Sequence, residues 1–190
     1  MKDNSLEITK YIQIAKKNHK EGNIYQANEI YRKLIDQKIY TYDLLISYGL
    51  FCKEINKLKI AKNLIFLSIK KYPLKINSYI LLAEIFRKEN NIDDALKTLH
   101  AAKKLEKFNS EIDYNFAITF KAIKSFKESI ISIDSAINQK PYNKTYQILK
   151  ADILIDCFQD DKAQELLCNL KFKKDSLLHF QSEILISKIF

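Results

Sequence analysis

"KEGNIYQA" (Lys20–Ala27) and "KENNIDDA" (Lys88–Ala95) are one phrase written twice. Each runs Lys, Glu, a small or polar residue, Asn, Ile, two variable residues and Ala. Lys20 and Lys88 stand two cycles apart in a 34-residue period that runs through the whole chain. Ala15, Gly49, Ala83, Ala117 and Ala151 follow one another at one period each, and so do Ala27, Ala61, Ala95, Ser129 and Ala163. Two series of small residues, in register for five cycles without an insertion, mark an internal repeat that governs every local reading.

Between the small residues the apolar spacing is helical. Leu6, Ile8, Ile12, Ile14 and Ala15 predict a first helix from Ser5 to about Lys20. Ile24, Ala27, Ile30, Tyr31, Leu34 and Ile35 follow the i, i+3, i+4, i+7 pattern and predict a second helix from Ile24 to about Gln37. The octets fall at the joint between the two. Gly22 and Asn90 tolerate the left-handed backbone of a helix end, Ile24 and Ile92 begin the second apolar face, and Ala27 and Ala95 permit close approach. The corners in the second, fourth and fifth cycles ("KEINKLKIA", "KAIKSFKES", "CFQDDKA") read as looser turns. Pro73 and Pro141 sit just past second helices, where a residue that cannot continue a helix is expected.

Composition agrees. The 190 residues include only two Gly and two Pro, too few for a fold of many strands and tight turns. A hydrophobic share of 47% supports a large core and excludes wholesale disorder. The formal charge of +9 comes from thirty Lys and two Arg, Arg32 and Arg87. Readers of phosphate and guanine favour Arg, and a Lys, Ile and Asn excess is also the product of an AT-rich genome, so nucleic acid is disfavoured as a partner. The charge is not blocked: residues 1–95 carry 17 basic and 11 acidic residues, and residues 96–190 carry 15 and 12. Cys52, Cys157 and Cys168 form no short-spaced pair, which points to reduced thiols and a cytoplasmic setting. No apolar run reaches the ~18–20 residues that span a bilayer, so no membrane insertion is expected.

The third cycle carries a family resemblance. Tyr79, Leu82, Ala83 and Phe86, then Ala95, Leu99 and Ala102, resemble the helix–turn–helix unit of tetratricopeptide repeat (TPR) proteins, which has the same period. The first cycle adds Tyr11, Ala15, Ala27 and Tyr31, and the second adds Gly49, Ala61 and Pro73. The fourth adds Ala117, Phe120, Ala136 and Pro141. The fifth keeps Ala151 and Ala163 but has Lys150 where Leu is usual. The resemblance implies an all-α fold: a right-handed α–α superhelix, or solenoid, of five units plus a C-terminal helix. As one domain over residues 1–190, its repeats would span about 8–41, 42–75, 76–109, 110–143 and 144–177, with a final helix over about 176–190. Stacking is obligatory, because one helix pair cannot hide its apolar face. Tyr31, Ile65, Leu99, Ile133 and Leu167 are expected to fill the space between neighbouring repeats, and most Tyr and Phe to lie in the core.

Catalytic signals are missing. No GxGxxG, GxxxxGK[ST], HExxH or GxSxG occurs, and His19, His100 and His179 lack partners at metal-ligand spacing, so no enzyme activity, metal or cofactor is expected. Asp93–Asp94 and Asp160–Asp161 open second helices, where carboxylates complement the helix dipole.

In the resembling family the first helices line a concave groove for extended peptides or a partner's helix. Projected here, that groove holds the row Ile12, Ile46, Ile80, Tyr114 and Ile148. A basic row follows at His19, Lys53, Arg87, Lys121 and, breaking the pattern, Ile155. Lys16, Leu50, Glu84, Ile118 and Asp152 lie between them. The expectation is a scaffold that binds a protein segment with apolar anchors and acidic groups, the basic row supplying steering. The alternative is that the Ile row packs between first helices while the lysines are solvated. A chaperone-tail clamp is not supported, since its slots hold Ile12, Lys16, Ser47, Asn77 and Leu81. The tail "DSLLHFQSEILISKIF" reads as an amphipathic helix capped at Asp175 with an apolar finish at Phe190, suited to self-association or to continuation into a longer chain. From the resemblance alone, such a continuation would be a transferase domain acting on sugars or sulfate, with this chain as its recruiting region.

Overall fold

A computed structural model describes residues 2–170 and 177–189. Among them are eleven helices and no strand. The first helices of the repeats are α1 (Lys2–Lys20), α3 (Tyr42–Glu54), α5 (Ile76–Lys88), α7 (Ser110–Ala122) and α9 (Lys144–Asp156). The second helices are α2 (Ile24–Asp36), α4 (Leu58–Lys71), α6 (Ile92–Leu105), α8 (Phe126–Gln139) and α10 (Asp160–Cys168), and α11 (Leu177–Ser187) follows. The cap assigned to Asp175 and the apolar finish at Phe190 lie outside the described residues.

Both small-residue series are buried without exception: the first from Ala15 to Ala151, the second from Ala27 to Ala163. The filler series Tyr31, Ile65, Leu99, Ile133 and Leu167 is buried as well. Ser129 is the one polar member of the second series, and its hydroxyl donates to the Ala117 carbonyl at 2.8 Å. That bond offsets the cost of burying a hydroxyl where the other repeats carry a methyl.

The corners are more regular than their residues suggested. Gly22 (φ 80°), Asn56 (60°), Asn90 (58°), Lys124 (58°) and Phe158 (58°) all take the left-handed conformation, each one period after the last. The same pair of hydrogen bonds accompanies each one. Asn23 N donates to Asn18 O and Gly22 N to His19 O, and the pattern recurs down to Gln159 N with Leu154 O and Phe158 N with Ile155 O. This is the Schellman closure, which satisfies the last carbonyls of a helix. The second, fourth and fifth corners are therefore not looser. The hydrogen bonds and the short link to the next helix hold Asn56, Lys124 and Phe158 in αL, although a side chain there costs energy that Gly avoids.

The aromatic expectation needs correction. Of the twenty described Tyr and Phe, six are buried, seven are half-buried and seven are exposed. The buried ones stack at helix junctions, as Tyr31 does on Tyr48 at 5.1 Å. The exposed ones include Tyr25 and Phe66 on second helices, Phe66 meeting Phe86 of α5 edge-on at 6.3 Å, and Phe108, Tyr142 and Phe158 on loops and corners.

The chain divides into two compact units, Met1–Asn91 and Ile92–Phe190. In the first, α1, α3 and α5 follow one another, with α2 and α4 as their second helices. Its centre holds Tyr31, Leu44, Leu45, Phe51 and Ile65. In the second, one cluster joins Ala117, Ile133, Ala136, Tyr146 and Ile153. Another joins Ile148, Ala151, Leu154, Ala163 and Leu167 to Leu185 of α11. Leu185 occupies the sixth place in the series that begins at Ala15. A leucine there fills, in the cluster with Ala151 and Leu167, the position that a small residue holds on the earlier first helices.

Candidate interaction face

Successive first helices lie beside one another, which places residues of equal phase in rows within each unit. In the first unit Ile12 and Ile80 are buried and Ile46 is half-buried, so this row packs largely inward. Leu50, on α3, keeps 38% of its surface exposed.

The charges beside them are cross-linked from one repeat to the next. Lys16 Nζ lies 2.7 Å from Asp43 Oδ1, and His19 Nε2 lies 2.8 Å from Glu54 Oε2, with the His19 ring edge-on to Phe51 at 4.9 Å. Lys53 pairs with Glu84, and Lys88 Nζ donates to the Lys53 carbonyl at 3.1 Å. Arg87 is half-buried on the last turn of α5.

The second unit repeats the device. Lys121 Nζ reaches Asp152 Oδ2 at 3.0 Å and Asp156 Oδ2 at 2.7 Å, and Lys188 comes within 3.4 Å of Asp152 Oδ1. Burial alone would lower the Lys121 pKa, but the hydrogen bonds its ammonium donates to Asp156 and Asp152, with their negative charges, outweigh burial and raise the pKa. Tyr114 stacks on Tyr146 at 4.9 Å, Ile118 and Ile155 are half-buried, and Ile148 is buried in the cluster against α11.

Sequence reading found the bases and missed most of their partners. Asp43, Glu54 and Asp156 were not singled out. A signal was present: Lys53 to Glu84 and Lys121 to Asp152 share one offset, three short of the period, and His19 to Glu54 and Lys121 to Asp156 share another, one beyond it. Offsets just under and just over one period place an acid of the next first helix beside a base of the one before.

A cleft of about 850 Å³ lies between α1 and α2, lined by Ile8, Tyr11, Ile30 and Leu34 and by charged Glu29 and Arg32. Among the described residues no group of three or more His, Cys, Asp or Glu is arranged to hold a metal ion. His100 packs on Phe116 at 4.9 Å.

No family model matches this chain, and no curated protein does. Solved structures do. A thermophilic TPR protein of Thermus thermophilus, TTC0263, superposes with a TM-score of 0.81 at 11% identity over 95% of this chain and 99% of its own. A TPR protein of Parabacteroides merdae gives 0.84 at 13% identity, over 98% of this chain and 72% of its own. Residues 41 to the end of MamA from Desulfovibrio magneticus RS-1 give 0.67 at 13%, over 85% and 91%. The chain is an α-helical repeat protein, and its fold is the tetratricopeptide-repeat solenoid.

Proposed function

We propose that this chain is a non-enzymatic scaffold that holds a protein segment, extended or helical, against the exposed face of its first helices. The supporting observation is the division of labour on that face. Its bases and acids are already paired between repeats, while Ile46 and Leu50 in the first unit and Ile118 in the second offer apolar surface that solvent still reaches. Apolar contact therefore supplies the affinity, and the paired charges shape the rim and reject mismatched partners. In the first unit Lys16, His19, Lys53, Glu84 and Arg87 flank the apolar positions, and in the second Tyr114, Lys121 and Asp152 do. Repeats of this kind suit the role because the first helices of stacked pairs present an extended surface within each unit.

The test compares proteins captured by the wild-type chain and by a Leu50→Asp, Ile118→Asp variant with unchanged helical content. Loss of specific partners in the variant supports the reading. An identical set of partners from both proteins overturns it.

A further inference from the structure

The two small-residue series are explained by burial, but a third series with the same period is not. Leu6, Tyr40, Leu74, Phe108 and Tyr142 share one phase. They are large and apolar, yet Leu6 is 75% exposed, Leu74 77%, Phe108 77% and Tyr142 95%, with Tyr40 half-buried. From Tyr40 onward each sits on the loop between a second helix and the next first helix, and Leu6 holds the equivalent place near the start of α1.

Within each unit these loops form one rim. In the first unit the Tyr72 hydroxyl donates to the Tyr40 carbonyl at 3.0 Å and Tyr42 meets Tyr72 edge-on at 5.7 Å, which sets the two loops side by side. Lys71 and Lys75 lay their ammonium groups over the rings of Tyr40 and Tyr42, each 5.4 Å from the centroid. In the second unit Lys107 lies 5.7 Å over Phe108. The Tyr146 hydroxyl hydrogen-bonds Ser110 at 3.2 Å, drawing the starts of α9 and α7, and hence their preceding loops, together.

The rim's charge differs from that of the first-helix face. Among the described residues Lys70, Lys71, Lys75, Lys104, Lys107 and Lys140 make no ion pair, whereas Lys16, Lys53 and Lys121 all do. No acid occurs from residue 70 to 83 or from 135 to 151, while Glu106, Glu111 and Asp113 lie near Phe108 and Asp36 and Asp43 flank the Tyr40 loop.

We propose that the inter-repeat loops of each unit dock on the surface of an anionic lipid bilayer, their apolar tips entering the headgroup layer and their lysines meeting lipid phosphates. Single side chains projecting from loops give a peptide no concavity to fill, while a bilayer requires no matched shape. Tyr favours the membrane interface, Leu and Phe bury at the headgroup–acyl boundary, and lysine stems lie along apolar surface while their charge stays in water. Each lysine near an anionic leaflet strengthens binding roughly five-fold. Single-stranded nucleic acid suits the rim less well: its loops contain no arginine, and the series carries leucine, not a ring, at Leu6 and Leu74, which breaks any run of stacked bases. Docking is peripheral, since no helix among the described residues is long and apolar enough to cross a membrane.

The experiment is co-sedimentation of the whole chain with vesicles of phosphatidylcholine alone, or with roughly one-third phosphatidylglycerol, at low and raised salt. Wild type is expected on the anionic vesicles alone, with binding that falls as salt rises. A Leu74→Ser, Phe108→Ser, Tyr142→Ser variant, which alters only exposed positions, is expected to bind them at least ~10-fold more weakly with an unchanged melting temperature. No sedimentation at low salt, equal binding to neutral vesicles, or undiminished binding of the variant each overturns the proposal. So does tight binding of an oligouridylate by a wild type that ignores vesicles, which would assign the rim to nucleic acid.

Discussion

A Cβ placed on Gly49 would lie 2.5 Å from Cδ1 of Ile65, closer than two carbons can approach. The fully buried Ile65 thus occupies the space that glycine leaves on α3. Alanine at Gly49 gains up to ~1 kcal/mol in helix propensity and loses ~1–3 kcal/mol to overpacking, so Gly49→Ala is expected to destabilise by about 1 kcal/mol. Shortening the neighbour with Ile65→Val should recover part of that loss in a double-mutant cycle followed by urea unfolding. Stabilisation by Gly49→Ala would refute the packing account. Ala83→Leu, at a buried position of the same series, is expected to cost on the order of 1–3 kcal/mol and should lower the melting temperature.

The left-handed corners make a prediction of opposite sign. Lys124 and Phe158 adopt the conformation that Gly22 adopts without a side-chain penalty. Lys124→Gly and Phe158→Gly are each expected to stabilise by a few tenths to ~1 kcal/mol, and Lys124→Ala to give no such gain. Denaturation midpoints of the three variants decide the matter.

Lys121 holds Asp152 and Asp156 together on neighbouring turns of α9. Lys121→Met leaves those carboxylates facing each other. Because the groups are partly exposed, the loss is about 1 kcal/mol at low salt and shrinks in concentrated salt. A salt-independent loss would point instead to packing by the lysine stem.

Alkali is expected to unfold the first unit. Burial pushes the Cys52 thiol up to about 11 and the Tyr48 hydroxyl up to about 12. Both are raised above their unfolded values, so their contribution is complete below the ordinary thiol value of 9.0 and is lost as pH climbs through 11 to 12. Melting temperature should fall steadily above about pH 9. A thiol reagent at neutral pH should label exposed Cys168 rapidly and buried Cys52 only after denaturation. Equal labelling rates for the two would contradict the burial of Cys52.

The repeat was legible because close packing of two helices demands a small residue wherever their backbones approach, and that demand recurs once in every cycle. Ala15, Ala27 and Tyr31 could be assigned from spacing alone. The corners at Lys124 and Phe158 could not, since neither residue advertises a positive φ. Their conformation follows from hydrogen bonds at a helix end, not from local preference. The candidate face was legible only in part. Ile12, Ile80 and Ile148 had the right periodicity for a groove, but periodicity cannot separate a side chain lining a surface from one packed beneath it.

By itself the sequence determined an array of helix pairs, because period, helix spacing and the scarcity of glycine and proline all depend on local chain geometry. Tertiary structure alone decided which charges are spent. Lys53 meets Glu84 and Lys121 meets Asp152 only when the turn between repeats brings the next first helix alongside the one before. It also decided that the series through Leu74, Phe108 and Tyr142 faces solvent, since burial depends on which neighbour covers a side chain and not on its hydrophobicity.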